Sequence, residues 1–315
     1  PGVASTPAFR NDVIVRGGGP NENRFYIDNV EIPYLNHFST QGSSGGPVGI
    51  INVDFVQSVD FLSGAFPASR GNALSSVLNF TFLDGNREKM KYRATVGASD
   101  LGLTVDGPAG ENGTLLMSVR RSYLQFLFSA LGLPFLPNYT DFQFKYRVRL
   151  DDKNELTVIG LGAKDDFELN LKANETEYQR YILNYIPVQE QYSYTTGLVY
   201  KHFRKGGYDT WVLSRNYLNN SQYKYAGNIE ADTNKILDYL SGEGEIKARF
   251  ERTIIGDNGL RISFGAGTEY AHYRNSTYRL IYSGLGENEI NYETNLKLGK
   301  FGAFGQVSKS YLDER

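Results

Sequence analysis

The chain has 315 residues and a formal net charge of -2, so it offers no basic surface for a nucleic acid. It has no cysteine, which excludes a disulfide framework and a thiolate metal site. Its 34 glycines, 23 tyrosines and 19 phenylalanines are typical of a β-rich protein with tight turns. No run of apolar residues approaches the roughly 18 that a membrane-spanning helix needs.

The first predicted elements form a small globular unit between residues 12 and 82. Its four short strands cover residues 12–16, 24–28, 55–62 and 75–82. Segments rich in Gly, Pro, Asn and Ser separate them, as expected for turns. The polar residues 1–11 carry no period and are predicted to form an extended lead-in.

Two irregular stretches interrupt this unit. Residues 17–23 form a turn cluster, and residues 34–46 mix aromatic side chains with amides and hydroxyls. The glycines after Arg16 would suit a phosphate-binding loop, but no Gly-Lys-Ser/Thr follows them and no helical pattern begins there. Both stretches are therefore interpreted as polar loops.

From residue 89 onward, apolar and polar side chains alternate with the period of two that is typical of a β-strand. In residues 142–150 the alternation is unbroken: the apolar set is Phe142, Phe144, Tyr146, Val148 and Leu150, and the polar set is Gln143, Lys145, Arg147 and Arg149. Such a strand has one apolar and one charged face. The charged faces are predicted to line a lumen, where a Lys145→Gln change is expected to be nearly neutral.

Ten candidate strands follow one another, and their connections alternate in length. The strands cover residues 90–99, 101–107, 114–127, 141–151, 155–164, 191–203, 208–219, 240–253, 260–273 and 295–309. Short turns are predicted at 107–113, 151–154, 204–207 and 255–259, and long connections at 128–140, 165–190, 220–239 and 274–294. This sorting is typical of an outer-membrane barrel rather than a soluble sandwich, and most of the strands reach the roughly 9 to 11 residues that a tilted membrane strand needs. The long connections are predicted to face the outside of the cell.

Several motifs in the N-terminal unit resemble the plug domain of TonB-dependent outer-membrane receptors. They are residues 15–17 (VRG), 26–30 (YIDNV), 56–64 (VQSVDFLSG), 66–71 (FPASRG) and 74–79 (LSSVLN). Their order and spacing match the family as well as their letters. The last two motifs are most similar to receptors of the Bacteroidetes type.

The resemblance implies a mainly β fold in two parts. Residues 1–85 are expected to form a small α/β plug domain, and residues 86–315 part of an antiparallel transmembrane β-barrel, about ten strands of a barrel that in this family has 22. The chain is then expected to be a fragment, because it has no signal peptide and no TonB-contacting segment. The implied location is the bacterial outer membrane.

The function that the resemblance implies is TonB-coupled import of an extracellular ligand, either an oligosaccharide, a peptide or an iron chelate. The implied partners are TonB with its inner-membrane energising complex, through a segment outside this sequence, outer-membrane lipid and a surface lipoprotein. Two alternatives stay open: a plugged barrel that acts as an adhesin or assembly component without transport, and a soluble all-β binding module.

The resemblance also assigns candidate site residues. In the family, the loops at positions equivalent to 17–23 and 34–46 face the ligand at the plug apex. The corresponding candidates are Asn21, Asn23, Tyr34, Asn36, His37, Phe38 and Gln41. Arg16 is expected to lock the plug to the barrel, with Glu243, Glu245 or a carboxylate beyond residue 315 as its partner. A second plug cation of the family is replaced by Ser63.

The sequence holds few candidates for catalysis or metal binding. His37, His202 and His272 lie in different segments, and none has a second His or Cys at metal-ligand spacing. No Gly-x-Ser-x-Gly elbow with a strand before it and a helix after it is predicted, and no His-Glu-x-x-His motif occurs. The neighbouring carboxylates of Asp165 and Asp166 are expected to cap a loop. The chain is therefore predicted not to be an enzyme and to need no cofactor or metal.

Overall fold

A computed structural model describes residues 3–5, 11–41, 45–256, 259–283 and 286–309. Small sheets lie before Phe82, and a single ten-stranded sheet begins at Lys91. The domain boundary predicted at residue 85 falls in the segment between them, and the division into two domains stays a prediction. Of the lead-in predicted at residues 1–11, residues 1–2 and 6–10 lie outside the described ranges, as do residues 42–44 of the second polar loop.

The N-terminal part is called the plug from here on, and its described residues form eight short strands. A four-stranded sheet has the order β4-β3-β8-β7, in which β3 and β8 are parallel. Two further pairs, β1 with β2 and β5 with β6, are antiparallel. The strands are β1 Val3–Ser5, β2 Val13–Val15, β3 Asn23–Ile27, β4 Val30–Glu31, β5 Asn36–His37, β6 Val48–Gly49, β7 Val56–Leu62 and β8 Ser76–Phe82. Helical structure in the described plug is limited to the 3-10 turns Pro20–Glu22 and Val53–Phe55.

The YIDNV motif has a direct conformational reason. Asp28 and Asn29 connect β3 to β4, and both have positive φ, 45° and 77°. A two-residue hairpin of this kind needs two left-handed residues, and Asn and Asp tolerate that conformation better than most side chains. The motif therefore encodes the hairpin that presents Val30 to the neighbouring sheet.

The ten-stranded sheet runs from β9 to β18, with every strand hydrogen-bonded to its neighbours in sequence and every pair antiparallel. This confirms the prediction of about ten antiparallel barrel strands. From β12 onward the strands are 15 to 24 residues long. They are β9 Lys91–Val96, β10 Asp100–Pro108, β11 Gly113–Ser122, β12 Phe135–Arg149, β13 Asn154–Leu169, β14 Val188–Arg204, β15 Gly207–Tyr225, β16 Lys235–Ile255, β17 Leu260–Ser283 and β18 Gly286–Lys309.

The two faces of the sheet differ as the alternation predicts. On β12, Phe142 is 40% exposed on the outer face, while Gln143 and Lys145 are buried against the plug. The hydrophobic core is shared between the two parts of the chain. Ile27, Val30, Ile32, Ile50, Phe55 and Phe82 of the plug pack with Leu116, Ile159, Leu161, Ala163, Val199 and Val212 of the sheet.

The long connections contain regular structure. Helix α1, Leu124–Ala130, follows β11, and helix α2, Glu177–Tyr185, follows β13. Thr176 and Gln179 form a capping box at the start of α2. Among the described residues, no helix has the length and apolar character required to cross a membrane.

One predicted loop is wrong. The sequence predicts a long connection at residues 274–294, but residues 274–283 belong to β17 and residues 286–294 to β18. These parts of the two strands carry polar residues such as Asn275, Thr277 and Glu289, so the apolar alternation that marked the strands ends before the strands do. The same effect shortened the prediction for β12, which begins at Phe135 rather than at 141.

We expect the long connections to be accessible from outside the cell and the short turns to be inaccessible. Single cysteines at Asn174 and Glu230 should react with an impermeant thiol reagent on intact cells, and cysteines at Lys153 and Lys205 should not. Asn228 is avoided because its side chain bonds Lys224 and the Leu183 carbonyl. Asn258 lies outside the described residues.

The native chain has no cysteine, so the unmodified protein is the labelling blank. Permeabilised cells should label all four positions, which controls for the reactivity of each thiol. Labelling of Lys153 and Lys205 alone on intact cells would invert the topology.

Candidate functional site

The plug lies against the inner face of the sheet, close enough for main chains to approach. Gly197 of β14 makes this approach feasible at one point, because a Cβ at this position would lie 2.3 Å from Val30 Cγ2. That distance is far below van der Waals contact. The hairpin that the YIDNV motif forms therefore fits against the wall only where the wall has glycine.

His37 is the centre of the most buried polar contact between plug and wall. Its Nδ1 lies 2.6 Å from Asp165 Oδ1, and its Nε2 lies 3.0 Å from Asp141 Oδ2. Both carboxylates are acceptors when ionised, so each ring nitrogen must donate, and only the imidazolium has two N–H groups. His37 has no exposed surface, and its ring stacks on Tyr139 at a centroid distance of 4.0 Å.

Further groups complete this His37 cluster. The Phe38 backbone N–H donates to Asp165 Oδ2 at 2.7 Å. Arg120 lies 2.9 Å from Asp141 Oδ2 and donates to the Gly49 and Ile50 carbonyls of the plug at 3.0 and 2.5 Å. Two carboxylates thus face one imidazolium and one guanidinium. This balance allows four charged groups to be buried together.

The pKa of His37 is shifted by opposing effects. Burial by itself lowers the pKa, because it disfavours the charged ring, but the hydrogen bonds to Asp141 and Asp165 and their negative charges raise it. The net result is a pKa raised above the usual value for histidine. The imidazolium form that the geometry requires is therefore also the form that the surroundings favour.

A second charged contact holds the plug four residues further along β12. Lys145 Nζ lies 3.0 Å from Asp28 Oδ2 and 3.0 Å from Asp84 Oδ1, and it donates to the Phe82 carbonyl at 2.8 Å. Lys145 is only 5% exposed. The expectation that Lys145→Gln is nearly neutral is therefore wrong, because the change would leave the largely buried Asp28 carboxylate without its cation, at a cost of about 3 to 5 kcal/mol, whereas Asp84 would keep Arg147.

Longer side chains reach the plug from β16. Tyr34 donates from its hydroxyl to Glu243 Oε1 at 2.5 Å, and Lys247 lies 3.0 Å from Glu31 Oε2. Burial, and then the negative charge of Glu243, raise the pKa of Tyr34 well above its ordinary value, so the phenol stays a donor. A cavity of about 150 Å³ adjoins this contact, and one of about 490 Å³ lies between the plug and β15–β18.

The structure divides the predicted apex residues into two groups. Asn21 is exposed, and Tyr34, Phe38 and Gln41 are half-buried. The remaining candidates are buried: Asn23, Asn36 and His37 are 3%, 7% and 0% exposed.

In this structure these three buried side chains are out of reach of a ligand, and their ligand role stays a prediction. Asn23 is bonded within the plug, to the Val13 carbonyl at 2.6 Å and to the Ser76 hydroxyl at 2.6 Å. His37 is held by the wall, as described above. A side chain without accessible surface cannot meet a ligand that arrives from outside. For Asn21, Tyr34, Phe38 and Gln41 the ligand role stays a prediction.

Arg16 lies in a different environment from the one expected for a lock. It is exposed, has a left-handed backbone with φ of 52°, and its Nη1 lies near Gly64. Its proposed partners are engaged elsewhere, Glu243 by Tyr34 and Glu245 by Lys247 at 2.9 Å. Within the described ranges Arg16 forms no ion pair, so its locking role stays a prediction.

Most of the wall residues that hold the plug were not among the sequence candidates. Asp141, Arg120 and Lys145 each lie on the inner face of a strand, and Asp165 belongs to β13 rather than capping a loop as expected. Glu243 was a candidate, but as a partner of Arg16 rather than of Tyr34. The sequence feature that could have identified the missed wall residues is a charged residue on the inward face of a long alternating strand. No set of three His, Asp or Glu side chains in the described part of the chain is arranged to bind a metal ion.

We expect the His37 cluster to make plug seating weaken at alkaline pH. The folded-state pKa is raised above the unfolded value of about 6.5, so the stabilisation is complete below that pH and is lost as pH rises through the folded pKa. The free energy of unfolding should fall with rising pH more steeply in the wild type than in His37→Gln. Equal slopes from urea unfolding in detergent, measured across pH 6 to 10, would contradict a charged His37.

No protein-family model matches the sequence, and no curated protein matches it. Solved structures do match. The chain is similar to the ferric enterobactin receptor PfeA of Pseudomonas aeruginosa, with 15% identity, a TM-score of 0.64, and coverage of 99% of this chain and 52% of that one. It is also similar to FpvA of P. aeruginosa in complex with a pyoverdine and iron, with 14% identity, a TM-score of 0.66, and coverage of 99% of this chain and 46% of that one. For the copper transporter OprC the identity is 10%, the TM-score is 0.68, and the match covers 99% of this chain and 48% of that one.

The chain thus spans about half the length of the solved structures that it matches. These neighbours are TonB-dependent outer-membrane receptors rather than enzymes. The plug and the ten-stranded wall identify this chain as having the fold of the TonB-dependent outer-membrane receptors.

Proposed function

We propose that the protein that contains this chain is an outer-membrane receptor that imports an extracellular ligand past its plug. The observation that carries the proposal is a plug held on the inner face of the sheet by buried ion pairs, chiefly those of His37 and Lys145. Charged groups regain hydration when they separate, so such an interface can open at a lower cost than an apolar interface of equal area. These ion pairs therefore support a plug that closes the pore at rest and can be displaced by a mechanical force.

The energy source and the partners rest on the resemblance in the plug motifs. TonB and its inner-membrane complex would pull through a segment outside this sequence, and a surface lipoprotein would assist capture of the ligand. The Bacteroidetes type rests on the motifs at 66–71 and 74–79 alone. A locking role for Arg16 belongs to the same proposal.

The ligand is proposed only as a class. Oligosaccharides, peptides and iron chelates all suit a surface of aromatic rings and amides, which Tyr34, Phe38, Gln41 and Asn21 provide at the plug. The neighbouring structures are named for ferric enterobactin, pyoverdine and copper, so their ligands are metal-linked.

Uptake measurements on cells test the proposal. A strain that carries the gene and a deletion strain are compared for accumulation of labelled glycans, peptides and ferric chelates, with and without a protonophore. We expect one ligand class to accumulate only with the gene and only without the protonophore. Binding without accumulation for every class would favour the adhesin alternative.

We expect a covalent tether between plug and wall to block uptake without blocking binding. In Val30→Cys/Gly197→Cys the bulky Val30 side chain is replaced, and the Cβ atoms start about 3.0 Å apart, near the 3.5 to 4.5 Å typical of a disulfide. The oxidised protein should bind ligand and lose most uptake, and reductant should restore it.

The reduced double variant and Val30→Cys alone are the controls for this experiment. Both should import ligand, because neither fixes the plug. Import by the fully oxidised protein at the reduced rate would show that the plug does not have to leave β14.

A further inference from the structure

A row of aromatic side chains crosses the outer face of the sheet near its short-turn end. Tyr200, Trp211 and Phe250 lie side by side on β14, β15 and β16, with ring centroids 5.3 and 5.2 Å apart. Trp211 is 38% exposed. Aromatic rows of this kind lie where the hydrocarbon of a membrane meets its headgroups.

An ion cluster of Arg204, Asp209 and Arg252 lies on the same outer face, closer to the turns. Asp209 precedes Trp211 by two residues, Arg252 follows Phe250 by two, and Arg204 follows Tyr200 by four, so all three share the outward parity. Asp209 and Arg252 are direct partners in the ladder between β15 and β16. The cluster is therefore at the depth of the headgroups when the aromatic row marks the interface.

The carboxylate of the cluster is saturated. Arg252 donates from Nε to Asp209 Oδ1 at 2.6 Å and from Nη2 to Oδ2 at 2.9 Å. Arg204 donates from Nε to Oδ2 at 2.7 Å, with its Nη2 also 2.7 Å from Oδ2. Asp209 has no exposed surface, whereas the side chains of Arg204 and Arg252 are 50% and 36% exposed. The exposed part of the cluster is thus purely cationic.

The remaining hydrogen-bonding capacity suits a phosphate. Each guanidinium has five N–H donors and uses two on Asp209, so three donors on each arginine are left for another acceptor. Asp209 fixes both side chains in advance, which reduces the conformational entropy that binding would cost. The cluster has a net charge of +1, and exposed Lys205 in the adjoining turn adds another cation. In the neighbouring turn, the Asp151 carboxylate is occupied by Asn154 and the Lys153 N–H.

We propose that Arg204 and Arg252 bind the phosphate of an anionic phospholipid in the membrane leaflet that faces the short turns, with Trp211 packed beside the lipid's glycerol region. The cationic cluster adjoins an exposed aromatic row, so a ligand that fits both needs an anionic group attached to an apolar body. A phospholipid has both parts. The proposal rests on the proposed outer-membrane placement, and it is independent of ligand import.

The test uses the gene-encoded protein in nanodiscs of phosphatidylcholine with a minor fraction of phosphatidylglycerol. After detergent extraction and purification, the lipids that stay bound are counted by native mass spectrometry. We expect phosphatidylglycerol to be enriched over its bulk fraction. In Arg204→Gln/Arg252→Gln the enrichment should fall roughly tenfold, the change for one lost charge-assisted hydrogen bond.

Two variants separate lipid binding from a structural ion pair. Arg261→Gln removes a guanidinium of the inner face at the same end, where Arg261 donates to the Tyr208 hydroxyl, and should leave the enrichment unchanged. Asp209→Asn keeps both arginines and replaces the carboxylate with a neutral amide, which raises the net charge of the cluster by one, so the enrichment should increase. A cluster that serves only folding would lose stability in Asp209→Asn without any increase in the enrichment.

Three results would overturn the proposal. They are equal enrichment in the wild type and in the double arginine variant, equal loss in Arg261→Gln, and displacement of the lipid by millimolar inorganic phosphate, which would indicate a site for free anions. Ligand uptake is measured in parallel on the same variants, so loss of lipid with normal import, or the reverse, shows which of the two proposals has failed.

Discussion

The imidazolium of His37, hydrogen-bonded to two carboxylates of the wall, is the contact on which the position of the plug depends. Its two partners come from adjacent strands, Asp141 on β12 and Asp165 on β13, so the ring fixes β5 across both strands at once. Neither carboxylate could remain buried and ionised without a cation, and the cation could not remain buried without them. Arg120 extends the same arrangement to the carbonyls of Gly49 and Ile50. The result is a contact with a defined geometry, which apolar packing alone does not provide.

Plug and wall nevertheless share one apolar core, and the two kinds of contact have different roles. Val30 and Ile27 of the plug pack against Val199 and Ile159 of the sheet, which favours association without fixing its orientation. The ion pairs at His37 and Lys145 lie around this core and select one orientation. Because charged groups recover hydration on separation, the selected state is specific and can still be opened.

The sheet itself serves two environments through the period of two. Inward residues such as Asp141 and Lys145 satisfy the plug, and outward residues such as Trp211 and Phe250 form an aromatic row. The cluster around Asp209, whose charged side chains also point outward, lies where that row meets the short turns. The outer face thus changes from aromatic to charged in the direction expected from the hydrocarbon of the membrane to its headgroups.

The sequence by itself determined the strand pattern, the faces of the strands and the plug motifs, because alternation and turn residues are local properties of the chain. It failed at residues 274–283 and 286–294, where β17 and β18 continue with polar side chains and the alternation no longer marks a strand. It also assigned His37 to a ligand surface. The partners of His37 are 104 and 128 residues away, at Asp141 and Asp165. A period shows which face a side chain occupies but not what lies opposite that face, so only the tertiary structure decided that His37 holds the plug.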